Sequence, residues 1–309
     1  MKTISIVIPC YNEEGNVEEL YNQINKVFND LSEYNYEYIF IDNSSSDNTL
    51  TILKNLAQQD KKVRIIVNSR NFGPFRSGYY GFLQGGGDAV VLLCADLQDP
   101  PSLIYDFIKK WEEGHKIVLG IKDKSEEPLL IHMIRKVYYR FIKKIADIDL
   151  IEDYSGYGLF DKDIMNIFRE INDPYPYFRG LVCEVGFKKA IVKYTRHARK
   201  KGGSNINLYS LYDHAMTGIT NYSKIPSRVA TFLGFLLSVL SLLVAFIYFI
   251  YKLIFWTGFS FGMAPVIIGL FLFLSVQLFF IGILGEYMTT ILTQVIKRPL
   301  VIEKERINF

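Results

Sequence analysis

Two long uncharged apolar runs late in the chain constrain it more than any other feature. Val229 to Tyr251 reads VATFLGFLLSVLSLLVAFIYFIY, and Pro265 to Gly285 reads PVIIGLFLFLSVQLFFIGILG. A helix needs about 20 mainly apolar residues to cross the hydrocarbon core of a bilayer, so each run is long enough to span. The competing reading is a pair of buried core helices, and lengths of this order favour the span. Lys224 and Arg228 precede the first run, while Lys297, Arg298, Lys304 and Arg306 follow the second. The short link between them carries one lysine, so the positive-inside rule places both termini in the cytoplasm, at the cell's inner membrane. Gln277 and Glu286 read as polar packing contacts of these helices rather than catalytic groups.

The preceding residues follow a different pattern. ISIVIP, YEYIFID, VRIIVN, AVVLLCAD and KIVLGI are strand-like runs, and amphipathic stretches separate them. In the first such stretch Asn12 is expected to cap a helix whose apolar positions run from Val17 to Leu31 at spacings of three and four. Pro101 is expected to open the helix after the fourth strand. Apolar strands alternating with amphipathic helices predict an α/β fold, a mostly parallel open sheet covered on both faces. The expected organisation is a cytosolic catalytic domain over 1–203, a juxtamembrane amphipathic region over 204–228, a two-helix membrane domain over 229–296 and a cytosolic tail over 297–309. A net charge of +3 gives no general argument for nucleic acid as a partner. Three widely spaced cysteines without a CxxC point to a reducing compartment, and four scattered histidines without HExxH argue against zinc. The N-terminal apolar stretch is too short for a signal peptide, and acids follow it at once.

In open parallel sheets, ligands bind beyond the carboxyl ends of the strands. Asp42 ends the second strand-like run and Asp96 the fourth, so both acids are expected at that edge. The first loop, PCYNEEGN, has a single glycine and no GxGxxG, and GxxxxGK[ST] is absent. Dinucleotide-binding and P-loop chemistry are therefore excluded, and QGGGD at 84–88 reads as a turn. Asp96 and Asp99 suit a hard cation, because magnesium takes one or two carboxylates and completes its shell with substrate phosphate and water. The alternative for Asp99 is a cap on the following helix.

SIVIPCYNEEGNV, FIDNSSSDNT, RNFGPFRSG and ADLQDPP, in this order and followed by two spans, resemble the family 2 glycosyltransferases of GT-A fold. The resemblance is nearest to the polyprenyl-phosphate glycosyltransferases, such as bactoprenol glucosyltransferase and dolichol-phosphate mannose synthase. It implies that Pro9, Tyr11, Asn12, Glu14 and Asp42 line a nucleoside pocket. Asn43, which stands where relatives usually carry a second acid, is expected to face the nucleotide sugar with them. Asp96 would match the second aspartate of the metal-binding DxD, with Mg2+ or Mn2+ as cofactor and Gln98 facing the sugar nucleotide. The first aspartate of that motif falls on Cys94, a soft ligand poorly suited to magnesium.

The acceptor side is expected further along the chain. EDYSGYGLFDKDIM reads as a glycine-rich turn before another helix; the resemblance places an acid near the acceptor there, and Asp153 is the candidate, against the alternative of a solvated loop pair with Glu152. Arg196, Arg199, Lys200 and Lys201 cluster before Gly202 and Gly203, with an aromatic stretch through Tyr209, Leu211 and Tyr212 leading to the first span. Such a cluster suits a lipid phosphate, or simple attraction to anionic headgroups. Arg135, Lys136, Arg140, Lys143 and Lys144 give a further basic face, expected to be solvated or headgroup-facing. The implied reaction is inverting transfer of a hexose, glucose foremost, from a UDP-sugar to polyprenyl (undecaprenyl) phosphate for envelope glycans. GDP-mannose with the same acceptor is the alternative. A processive polysaccharide synthase, which generally has more spans and a QxxRW-like motif, and a non-catalytic sugar-nucleotide binder are the more distant readings. Two spans make a small lipid-facing bundle that admits a homo-oligomer.

Overall fold

A computed structural model describes residues 1–125, 142, 144–196, 208–254 and 263–309. Four parallel strands form the centre: β1 (Lys2–Cys10), β2 (Tyr34–Asp42), β3 (Val63–Asn68) and β4 (Ala89–Leu92). The helices between them are α1 (Val17–Asn29), α2 (Thr49–Gln59) and α3 (Pro74–Gln84), and α4 (Leu103–Glu112) follows β4. Next come β5 (Ile117–Ser125), β6 (Tyr154–Asp161), α5 (Lys162–Ile171), α6 (Phe178–Glu184) and β7 (Lys189–Arg196). The strand order is β7-β5-β6-β4-β1-β2-β3-β8, with β8 (Glu303–Ile307) on the far edge.

Side-chain alternation along β1 explains the two layers. Ile4, Ile6 and Ile8 enter one core with Leu20 and Ile24 of α1, Leu53 of α2 and Phe107 of α4. Val7 enters the opposite core with Ile39 and Ile41 of β2, Phe82 of α3, Phe168 of α5 and Leu181 of α6. Strands buried on both faces must be apolar throughout, which is why these runs read so clearly in the sequence.

Four local expectations change. Asn12 does not cap α1; it lies in a left-handed turn at φ 56°, and Asn16 holds the cap position. The fourth strand ends at Leu92, before Cys94, and the next helix begins at Leu103 rather than at Pro101. The glycine-rich stretch after Asp153 is a strand, not a turn: β6 runs antiparallel between β4 and β5. Its Gly158 meets the Val118 carbonyl, which a Cβ would approach to 2.6 Å, so glycine here permits close pairing. Finally, the last residues are not a tail apart from the sheet. β8 pairs antiparallel with β3, Lys54 Nζ lies 2.7 Å from Glu305 Oε2, and Asn308 Nδ2 donates to the carbonyls of Ala57 and Val63.

α7 (Leu208–Tyr222) leads to α8 (Ile225–Ile254) and α9 (Met263–Ile296). The last two are long and apolar enough to cross a membrane, over Ile225–Val244 and Leu272–Ile296. Their side chains are largely exposed, Phe235, Leu242, Leu278 and Phe279 among them, as lipid-facing helices require. α7 packs on α9: Tyr212 donates to Glu286 Oε1 at 2.7 Å, Thr290 to Thr220 at 2.9 Å, and Tyr287 to the Ser223 carbonyl at 2.6 Å. β8 starts opposite Asn68 and runs back along β3 to Ile65, so the carboxyl end of β3 is the end nearer α9.

α3 lies so close on β2 that a Cβ at Gly81 would stand 2.1 Å from Ile41 Cγ1. Gly81→Ala is expected to destabilise by about 1–3 kcal/mol through overpacking. Gly86→Ala, where a Cβ meets nothing within 4 Å, serves as control and leaves the thermal midpoint unchanged.

Candidate active site

The parallel strands β1 to β4 end at one edge, and β7, parallel to β5, ends there too. β6 runs the other way and therefore begins at that edge. Asp42, the segment Cys94–Asp99, Asp153 and Arg196 thus share one edge, although up to 154 positions separate them in sequence.

Beyond β4, Leu93 N donates to the Val7 carbonyl, and the backbone then turns. Leu97 adopts φ 56°, a conformation costing on the order of 1 kcal/mol for a residue with a Cβ. The turn folds Gln98 N back to Asp96 Oδ1 at 3.2 Å. Asp99 is 1% exposed and accepts a hydrogen bond from Tyr194, whose hydroxyl also meets Ser155 Oγ at 3.1 Å. Arg196 joins both acids: its Nη2 lies 3.7 Å from Asp96 Oδ2 and its Nε 3.6 Å from Asp99 Oδ1. These are ion pairs longer than hydrogen bonds, and Arg196 Nε is buried without a hydrogen-bond partner. Burial pushes the Asp99 carboxyl up, while Arg196 and Tyr194 hold it down in part.

The donor set for a cation is therefore narrow. Asp99, expected as a second metal ligand, is buried and committed to Tyr194 and Arg196, and it does not cap α4, where Ser102 holds that position. Cys94 is exposed. Among the described residues no group of three or more His, Cys, Asp or Glu is arranged to hold a metal. Asp96, with 15% of its side chain exposed, is the carboxylate that fits a cation whose remaining ligands come from a diphosphate and water.

At the tip of β2, Asp42 is fully buried. Its Oδ2 accepts from Ser45 N at 3.2 Å, but its Oδ1 has no partner. An orphaned buried oxygen of this kind costs about 1–3 kcal/mol, and a ligand donor reaching it would recover that cost. Burial pushes Asp42 up, against the pull of the Ser45 and Ser44 donors. The neighbouring Asn43, expected to face the nucleoside, is instead spent on the loop after β3. Its Oδ1 accepts from Phe72 N and Asn68 Nδ2, and its Nδ2 donates to Asn71 Oδ1 at 2.9 Å.

The first loop is stitched to the loop after β2. Asn12 Oδ1 accepts from Ser46 N at 2.8 Å, and Glu14 Oε2 accepts from Asn48 N and Nδ2, each at 2.9 Å. Pro9 lies 3.4 Å from where a Cβ on Gly78 would stand, and Tyr11 is half-buried. Asp153, at φ 56°, sits where β6 begins, and its carbonyl accepts from Lys122 N. Arg199, Lys200 and Lys201 lie outside the described residues, as do Arg135, Lys136, Arg140 and Lys143. Sequence reasoning missed Tyr194, Ser155 and Lys122. For Tyr194 the signal was the alternation of KAIVKYTR, a strand that delivers Tyr194 and Arg196 to one side, while Ser155 on β6 and Lys122 on β5 carried none.

Residues 5–168 match the family model described as Glycosyl transferase family 2. The chain belongs to this family. Uncharacterized glycosyltransferase YkcC of Bacillus subtilis (strain 168) is 34% identical, over 96% of this chain and 92% of its own length. The SfII prophage-derived bactoprenol glucosyl transferase of Shigella flexneri is 31% identical, over 98% of this chain and 97% of its own length. A lesser likeness joins the chain to the crystal structure of glucosyl-3-phosphoglycerate synthase from Mycobacterium tuberculosis with Mn2+, uridine-diphosphate and phosphoglyceric acid. It has TM-score 0.46 and 18% identity, over 71% of this chain and 76% of that one. The mixed, mostly parallel sheet flanked by helices is the GT-A architecture of family 2.

The raised carboxyl of Asp42 makes this glycosyltransferase's stability depend on pH. A group raised in the fold contributes stability that is full below its ordinary value, 3.8, and is lost as pH climbs through the raised one. Asp42→Asn removes that loss. The difference in unfolding free energy, variant minus parent, should grow more positive from about pH 4 to pH 7 and is read as a rising difference in thermal midpoint. A flat difference would show that Asp42 is not desolvated.

Proposed function

We propose that this family 2 glycosyltransferase transfers a hexose, glucose foremost, from a UDP-sugar to a polyprenyl phosphate at the cytoplasmic face of a membrane. The observation that carries the reading is the orphaned Asp42 and the Asp96–Arg196 pair on the sheet edge nearer α9. On this reading the acids would serve the donor, and the Arg196 guanidinium, which matches phosphate geometry, would meet a lipid acceptor arriving from that side. The bactoprenol glucosyl transferase relative supports the same acceptor class.

The nucleoside would lie over the β1 and β2 tips, against Pro9 and Tyr11, with Asp42 Oδ1 accepting from it. Asn12 and Glu14 shape this pocket by bracing the loop that follows β2. Asp96 would hold Mg2+ or Mn2+ together with the donor diphosphate, a cation that would neutralise charge on the leaving group. Gln98 follows the strained Leu97 and would face the sugar. An oxygen of the acceptor phosphate then forms a bond to the anomeric carbon as the bond to the diphosphate oxygen breaks, with inversion. A phosphate monoester is already largely dianionic at pH 7, since its second pKa is about 6, so the attack needs no strong base. Asp153 therefore acts by orienting the acceptor. Arg196, with Arg199, Lys200 and Lys201 next in sequence, would hold the acceptor phosphate against repulsion from the diphosphate. A homo-oligomer through the apolar helices is consistent with their exposed faces.

Transfer is tested with a panel of labelled UDP- and GDP-sugars against undecaprenyl phosphate, with and without Mg2+ or Mn2+. UDP-glucose is expected to give the labelled lipid; no product from any donor would sink the reading. Asp96→Asn should lower turnover by about a hundredfold or more, the scale on which lost charge stabilisation acts. Arg199→Ala should raise the KM for the lipid phosphate more than that for the sugar nucleotide, and an unchanged lipid KM would remove the phosphate role.

A further inference from the structure

Where α9 ends, several cations gather away from the acids just described. Arg76, in the first turn of α3, donates from Nη2 to the Pro299 carbonyl at 2.8 Å, directly after Lys297 and Arg298. Arg70 and Arg76 both stand over the Phe72 ring, with guanidinium carbons 4.1 and 5.6 Å from its centroid. Arg76 Nε is buried without a hydrogen-bond partner. No ion pair joins Arg70, Arg76, Lys297 or Arg298 to a carboxylate among the described residues. Burial, and then the positive charges of Arg70 and Arg298, push the Arg76 guanidinium down. Like charges held together in this way are stabilised by an anion.

We propose that Arg70, Arg76 and Arg298, with Lys297 beside them, form a binding site for the phosphodiester headgroup of an anionic phospholipid. The proposal rests on the membrane reading above. Guanidinium forks match phosphate oxygens in pairs, and each cation near an anionic leaflet adds to the attraction. The level is set by α9. Its exposed apolar surface continues through Val295 and Ile296, 71% and 47% exposed, and the cations follow without a break. Phe75, 38% exposed, adds apolar surface beside Arg76. A ligand there meets charge and hydrocarbon together, as a phospholipid does and free phosphate does not.

The site is separate from that of the reacting phosphate. Arg70 follows β3, and β3 is three strands from β4 in the order β4-β1-β2-β3. At about 4.8 Å per strand that is about 14 Å, too far for a phosphate held there to attack a sugar at Asp96. The site is tied to the donor pocket instead. Asn71, next to Arg70, accepts from Asn43 Nδ2, and Asn43 adjoins Asp42. An occupied headgroup site would fix the loop that braces the nucleotide pocket.

The test uses the full chain in phosphatidylcholine vesicles and in detergent. Flotation with phosphatidylcholine vesicles checks the membrane reading by itself; a chain that fails to float overturns that reading, and the site with it. For the floating protein, lipid binding is followed by native mass spectrometry with phosphatidylglycerol, phosphatidylcholine or soluble glycerol phosphate. Phosphatidylglycerol is expected to bind at least tenfold more tightly than phosphatidylcholine. Arg70→Gln with Arg298→Gln, both exposed positions that leave the Arg76 contact to Pro299 intact, should remove that preference while the thermal midpoint holds. As a second variant, Arg298→Gln alone should weaken the preference in part. An unchanged preference in these variants, or glycerol phosphate binding as tightly as the lipid, would overturn the proposal.

Discussion

Parallel pairing of β1 with β2 and β4, and of β2 with β3, sends four strand ends to a single edge. The rest of the molecule depends on that direction. Helical crossovers return the chain to the opposite edge each time, so loops carrying polar side chains accumulate where the strands finish. The reversed β6 extends the same logic, because a strand running the other way delivers its first residues rather than its last. Asp153 reaches the edge by that route, and Arg196 reaches it on β7.

What gathers there is incompletely satisfied. Asp42 keeps an oxygen without a donor, and Arg196 reaches two acids only at ion-pair distance. The surrounding loops are in contrast tightly bonded, with Asn12, Glu14 and Asn43 each holding a neighbouring loop. Rigid loops around unsatisfied charged groups describe a site organised before its ligand arrives, in which binding recovers desolvation already spent in folding.

The two apolar helices and the edge are mechanically joined. β8 returns from α9 to pair with β3, and α7 is bonded to α9 through Tyr212 and Thr220. The sheet therefore holds a set orientation to the apolar helices, with its carboxyl edge nearer to them at β3. The charged EKERI sequence of β8 also suits an outermost strand, since charge there discourages pairing with another chain.

Much of this was legible in the sequence. The strands β1 to β4 are mostly apolar because both faces are buried, and the two late runs are apolar as helices facing hydrocarbon rather than water must be; each condition leaves its mark residue by residue. The four motifs fixed the family, and strand-end position alone put Asp42 and Asp96 on one edge. β6 and β7 were hidden because Gly156 and Gly158 read as a turn and the alternation at 189–196 is short. The roles of Asn12, Asn43 and Asp99 could not be read either. A side chain's partner is set by what folding brings beside it, and their partners lie 25 to 97 positions away. Sequence by itself determined the class of fold, the family and the candidate spans, because those follow from local periodicity and short motifs. Only the tertiary structure decided that Asp99 answers to Tyr194 and Arg196, and that the chain's last strand closes the sheet, because such contacts depend on through-space pairing.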